Sequence, residues 1–184
     1  MSFLANPLAF TPAEFTFYVA KLKWAAWRPK FVTLHNTAEP SLKQWAHFGM
    51  GKEEGERRIR NLNHYYHDEQ GWHSGPHIFV APDFIWIACD LEHDGVHASC
   101  FNKVSIGVEM VGDYAVESFT TGDGAKVRDN AAAAVGALSH ALGIAADSLK
   151  FHKECARDHH DCPGKAVDKA DFVARVKQHM GVAA

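Results

Sequence analysis

The spacing of apolar residues changes several times along the chain, and each change predicts an element. Thr11-Pro12-Ala13-Glu14 has the form of a capping box with proline in the first helical turn. Phe15, Tyr18, Val19 and Leu22 recur behind it at helical spacing, so a helix is expected over residues 12–24, within an N-terminal unit of residues 11–27 that packs on a core of residues 30–180. Pro29 disfavours helical geometry at Arg28 and ends that unit. FVTL at 31–34 is β-prone on both faces, as a strand inside a covered sheet should be, and it delivers His35-Asn36-Thr37 to the sheet edge. Ser41 opens a short helix closed at Gly49. Residues 53–70 form a longer one, with Ile59, Leu62 and Tyr66 on one stripe and Gly71 past its end.

HIFV (77–80) and FIWIA (84–88), joined by Ala81-Pro82-Asp83, read as a β-hairpin. Residues 90–102 are polar and contain histidine, which suits a loop bordering a site. SIGVEMV (105–111) is a further strand. Ile106, Val108 and Met110 share one face, so period two puts Gly107 and Glu109 together on the other. A Gly/Thr-rich connection leads to an alanine-rich helix over 125–142, with Val127, Ala131, Val135 and Leu138 inward and Gly143 as its C-cap. Residues 168–180 close the chain as an amphipathic helix with Phe172, Val173 and Val176 inward. The expected fold is α/β: a single domain with a central mixed sheet and helices on both faces.

Composition narrows the function. The chain has 184 residues, 47% of them apolar, and a net charge of −3. That is enough to bury a core, and it gives no electrostatic case for binding nucleic acid. The basic clusters Lys21/Lys23 and Arg57/Arg58 read as solvated helix faces. The N-terminus lacks a basic segment followed by an apolar run, and no later apolar run approaches the length of a membrane span. A cytoplasmic protein as synthesised, with no membrane partner and in monomeric form, is expected. Four cysteines in such a compartment should remain thiols, with Cys89 and Cys100 as buried apolar residues. Thirteen histidines beside them raise the odds of metal or proton-transfer chemistry.

That chemistry concentrates in FHKECARDHHDCPGK (151–165). His152, Cys155, His159 and Cys162 are chemically adequate for a closed tetrahedral zinc knuckle. Alternatively, His152 and Cys162 combine with His35 into an open three-ligand site, or these are surface histidines near a turn. Glu109 projects from an otherwise apolar strand, where an ionised carboxylate needs a partner. His64, His67, His73 and His93 read as solvated surface residues.

Four segments occur in an order that carries a resemblance: VTLHNTA at 32–38, EQGW at 69–72 followed by HIFV, HASCFNKVSIGVEMVGDY at 97–114, and FHKECARDHHDCPG at 151–164. Over residues 30–165 the chain resembles the zinc-dependent N-acetylmuramoyl-L-alanine amidases of the peptidoglycan-recognition-protein superfamily, which includes phage endolysins and muropeptide-recycling amidases. The resemblance implies zinc held by His35, His152 and Cys162, with Cys155 and His159 as bystanders. It implies Glu109 as general base and His160 as the group facing the oxyanion, through a protonated ring or a neutral N–H. Asn36 and His97 are then expected to contact the substrate, and His77 to support the site from behind. Pro76 stands where several phage relatives carry a tyrosine, which excludes a tyrosine-dependent mechanism there and leaves Glu109 as the base. The implied reaction is hydrolysis of the amide between the muramic-acid lactyl group and L-alanine in peptidoglycan or muropeptides. The rival is a non-catalytic peptidoglycan-binding module of the same superfamily. An endolysin would reach the wall only after release from the cell.

Overall fold

Six strands form one mixed sheet in a computed structural model that describes residues 3–47 and 49–182. In chain order they are β1 (Phe3–Phe10), β2 (Phe31–Asn36), β3 (Ile78–Val80), β4 (Ile85–Cys89), β5 (Ser105–Met110) and β6 (Lys150–Phe151). The spatial order is β1-β4-β3-β5-β2-β6. β2 runs parallel to β5 and β6, and β3 parallel to β5; β4 is antiparallel to both β1 and β3. The helices are α1 (Pro12–Val19), α2 (Leu42–His47), α3 (Lys52–His64), α4 (Gly122–Leu142) and α5 (Lys169–Val182). Phe48, the last residue of the SLKQWAHF helix motif, lies outside the described residues.

Strand alternation divides the sheet into two faces. Val32, Leu34, Ile78, Val80, Ile106, Val108 and Met110 join Phe15 and Val19 of α1, the inward stripe of α4, and Phe172 and Val176 of α5 in one core. Phe79 and Trp86 face the other way, against Trp45 of α2 and Ile59 of α3. Helices therefore cover both faces, and the sheet is mixed, as the apolar pattern predicts. The residues alternating with the first set, Thr33, His35, Gly107 and Glu109, share the second face with Phe79.

Three local features depart from the sequence reading. β1 goes unannounced because its register shifts between Phe3 and Leu8, which breaks the alternation, and because it contains Pro7. The edge position tolerates that proline, since an edge strand needs only half its hydrogen bonds. Second, α1 keeps its capping box but ends at Val19. Lys21 and Leu22 donate backbone hydrogen bonds three residues back, and Trp24 turns into the core at φ 51°. Burial of the indole outweighs the helical pattern that Leu22 continues. Third, the 53–70 helix is α-helical only to His64 and passes into a π-helical turn, Tyr65–Glu69.

Arg58 also departs from expectation. Instead of a solvated side chain it is buried over the Trp45 ring, 4.8 Å from its centroid, and Nη2 donates to the Gly49 carbonyl at 2.7 Å. Lys21, Lys23 and Arg57 are exposed as anticipated. Among the described residues, no helix is long and apolar enough to cross a membrane.

Candidate metal centre

The β2–β5 register sets His35 directly beside Glu109, two pairs beyond Thr33 and Gly107 and on the same face. β6 pairs with β2 through Thr33 with Lys150 and Leu34 with Phe151. The chain therefore leaves the sheet at His152, level with His35. From there it doubles back, with the Lys153 N–H donating to the Cys162 carbonyl at 3.0 Å. Gly164 ends the return at φ 99°, where an added Cβ would lie 2.4 Å from the Tyr114 carbonyl carbon. Only glycine fits that conformation and that approach. The result is that one ligand atom each from His35, His152 and Cys162 falls within 4.8 Å of the others.

Hydrogen-bond directions identify which atoms converge. His97 Nε2 faces the Ser105 carbonyl at 3.2 Å. A carbonyl only accepts, so His97 carries its proton on Nε2 and a lone pair on Nδ1. His35 Nε2, 3.0 Å from that lone pair, must donate to it, which leaves a lone pair on His35 Nδ1. His152 Nε2 lies 2.9 Å from Asp158 Oδ2 and donates likewise, so His152 Nδ1 also keeps its lone pair. The two Nδ1 atoms face each other at 3.1 Å. Cys162 Sγ, already accepting from the Asn36 N–H at 3.2 Å, adds a third electron-rich atom. Lone pairs this close repel unless a cation or a proton stands between them, so this set of nitrogens and sulfur suits a metal ion.

Glu109 completes the cluster. Its Oε1 is 3.9 Å from His35 Nδ1, and Oε2 is buried without a hydrogen-bond partner among the described residues. Burial pushes the Glu109 carboxyl up to about 8. Burial, and then the neighbouring His97, His152 and His160, hold His35 well below the ordinary imidazole value. Burial also lowers His97 to about 3 and His77 to about 4. The Cys162 thiol is pushed up by burial and by Glu109. Without a cation the pocket therefore favours neutral groups throughout. Each of these shifts is the response of a desolvated site to charge, and an opposite charge at the centre would reverse those of Glu109 and Cys162.

The remaining anticipated residues fall in several places. His160 is exposed and stacks on His152 at 4.6 Å, and its Nδ1 accepts from the Cys162 N–H at 3.3 Å, so its proton sits on the outward Nε2. His77 is buried behind the site, accepting from the Gly107 N–H at 3.0 Å and donating to the His93 carbonyl at 2.9 Å. The two residues expected to contact substrate have partners within the fold. His97 is only 7% exposed and both its ring nitrogens are engaged. The alternation of β2 turns the Asn36 side chain away from the His35 face, and its amide donates to the Gly112 carbonyl at 3.2 Å.

The cysteines need correcting. Cys100 and Cys155 form a disulfide, so neither is a free thiol; Cys89 is a buried thiol. This bond and the exposure of His159 exclude the four-ligand knuckle as a closed local site. His64, His67, His73 and His93 are exposed as expected.

Sequence reasoning missed Asp158, which in a charged, histidine-rich loop looks like a solvated residue. Burial works against its charge, but the Ser99 hydroxyl and N–H and the His152 N–H together hold its carboxyl below the usual range. Also missed was a cavity of about 770 Å³ beyond the strand end that carries His35, lined by Thr37, Glu39, Gln44, Arg57, Tyr65 and Tyr66. Its size is that of a small-molecule or peptide site.

Residues 26–165 match the family described as N-acetylmuramoyl-L-alanine amidase. Among curated proteins none matches the sequence. Similar solved structures include a mutant endolysin from Bacillus subtilis, 26% identical with a TM-score of 0.59 over 81% of this chain and 86% of that one. The endolysin amidase LysCS from Clostridium intestinale URNW is 20% identical, with a TM-score of 0.61 over 82% and 84%. PGRP-LB of Drosophila is 21% identical, with a TM-score of 0.62 over 85% and 91%. The last two likenesses bear on the fold alone.

Proposed function

Because the chain belongs to the N-acetylmuramoyl-L-alanine amidase family, we propose that it is a zinc-dependent amidase that hydrolyses the bond between the muramic-acid lactyl carbonyl and L-alanine. The observation that carries this reading is the convergence of His35 Nδ1, His152 Nδ1 and Cys162 Sγ beside the unpartnered oxygen of Glu109. His35, His152 and Cys162 would hold the ion, and three protein ligands leave a position open for chemistry. When bound, zinc supplies Lewis acidity, acidifies water and favours the ionised form of Glu109.

Glu109 takes a proton from the attacking water as its oxygen adds to the lactyl carbonyl carbon. The outward Nε2–H of His160 donates to the oxygen on which charge develops. Glu109 then returns the proton to the departing nitrogen, giving a free carboxylate and the amine of L-alanine. The cavity beside Thr37 and Tyr66 is placed to receive the peptide side of the substrate. The Cys100–Cys155 bond supports work in an oxidising compartment such as the cell wall, rather than on muropeptides in a reducing cytoplasm.

The test is hydrolysis of purified wall and of soluble anhydro-muropeptide, followed by the appearance of new N-terminal alanine. Activity should disappear with a chelator and return with zinc. Binding to the wall with no amine released by the zinc-loaded protein would point instead to a recognition module.

A further inference from the structure

Both histidines of the candidate centre are oriented by one loop, residues 97–102, which supplies none of the three converging atoms itself. His97 reaches His35 directly, as described above. Two residues on, the Ser99 N–H donates to Asp158 Oδ2 at 2.8 Å and its hydroxyl to Asp158 Oδ1, and Asp158 accepts from His152. The Cys100–Cys155 disulfide ties this loop to the segment that bears His152.

We infer that His97 is a positioning residue for the metal, which fixes His35 in the tautomer that presents Nδ1 to the ion through a neutral imidazole-to-imidazole hydrogen bond. The inference rests on reading His35 as a metal ligand. Ligating histidines commonly donate their second N–H to a carboxylate, a carbonyl or water, which sets the ring's tautomer and orientation. Here the acceptor is a second histidine, whose own proton is committed to the Ser105 carbonyl.

The ring is held on every side. Asn102 Oδ1 accepts from the His97 N–H at 2.8 Å and the Ala98 N–H at 2.7 Å, which fixes the backbone from which the ring projects. Below it lies Gly107, where an added Cβ would come within 2.5 Å of His97 Cγ. The glycine alternating with Glu109 on β5 thus makes room for His97. His77, which accepts from the Gly107 N–H, also meets the His97 ring edge-on, with centroids 5.9 Å apart.

An imidazole suits this position for an electrostatic reason. Glu109 and Cys162 already bring two groups that become anionic beside a cation. A carboxylate behind His35 would add a third buried negative charge with no donor on its far side, whereas His97 accepts the same hydrogen bond and stays neutral.

Nitrogen-15 imidazole NMR of the metal-free wild type should find the proton on Nε2 of both His35 and His97. A proton on Nδ1 of His97 would overturn the inference. Zinc affinity, measured by competition with a chromophoric chelator, should weaken roughly 10- to 100-fold in His97→Leu. His97→Asn, whose Oδ1 reaches the position of the imidazole Nδ1, should recover most of that loss. Wild-type affinity in a folded His97→Leu, or no recovery with Asn, would also overturn it. If His97→Leu does not fold, the wild-type tautomers and the Asn variant decide. If the wild type binds no zinc, the ligand assignment itself fails, while the tautomers still report on the His35–His97 bond.

Discussion

His35 and Glu109 occupy the same level of two adjacent parallel strands, and Nδ1 of the first lies 3.9 Å from Oε1 of the second. That separation is too long for a hydrogen bond and short enough for both groups to address one ion and one water. Proximity at this level follows from strand register, so it does not depend on a mobile loop.

Glu109→Gln keeps the side chain's shape and removes its basicity. Hydrolysis of purified wall should fall by roughly 10²- to 10⁴-fold. Zinc content, measured by atomic absorption, should stay near that of the wild type, because Glu109 is outside the ligand set. Retained hydrolysis with zinc bound would assign the base elsewhere.

His160→Ala removes the outward N–H without touching a ligand atom. A drop in kcat on the order of 10²-fold is expected, with zinc affinity changed much less. Equal losses in kcat and zinc affinity would mean that the ring acts by its stacking on His152, whose centroid is 4.6 Å away.

The metal-free protein should be most stable near pH 6.5. His35, His77, His97 and His152 have folded values below the ordinary 6.5, His77 at about 4 and His97 at about 3. Their unfolded forms bind protons that the folded forms refuse, so stability falls as pH drops below 6.5 through those values. Glu109 acts in the opposite sense. Its folded value of about 8, against an ordinary 4.5, means that its contribution is complete below 4.5 and is lost as pH rises towards 8. Between 4.5 and 6.5 the two trends oppose each other, and four histidines outweigh one carboxylate. Between 6.5 and 8 Glu109 alone should cost about 2 kcal/mol. Urea midpoints measured in chelator at about pH 5, 6.5 and 8 check this, and a midpoint that rises steadily to pH 8 would contradict the assigned burial of Glu109.

The Cys100→Ser/Cys155→Ser pair should bind one zinc per chain while losing stability. Closing a loop across a sequence separation of 55 is worth up to about 4 kcal/mol on the chain-entropy account. Zinc titration and denaturant melts measure the two effects separately. Loss of the metal in Cys155→Ser but not in Cys100→Ser would revive Cys155 as a ligand.

Much of the fold was legible because local periodicity coincides with burial. The Ile106, Val108 and Met110 face of β5 and the Val127, Ala131, Val135 and Leu138 stripe of α4 both face the core as their spacing requires. The same period two that hid those residues put Gly107 and Glu109 on one face. β1 was illegible because its register shift and Pro7 erase the alternation, and α1 was overestimated because Trp24 gains more from burial than from helix.

For the site, the sequence by itself determined the chemical types: a histidine at the end of one strand, a carboxylate on another, and a histidine- and cysteine-rich return loop. It could not choose among the pairings those types allow. Tertiary structure made the choice, since parallel register sets His35 beside Glu109, and β6 and the loop after it bring His152 and Cys162 to His35 from more than a hundred residues along the chain. It also withdrew Cys155 into a disulfide and set His97 at the back of His35. Composition and spacing are local properties, whereas hydrogen-bond direction and desolvation depend on neighbours that only the folded chain supplies.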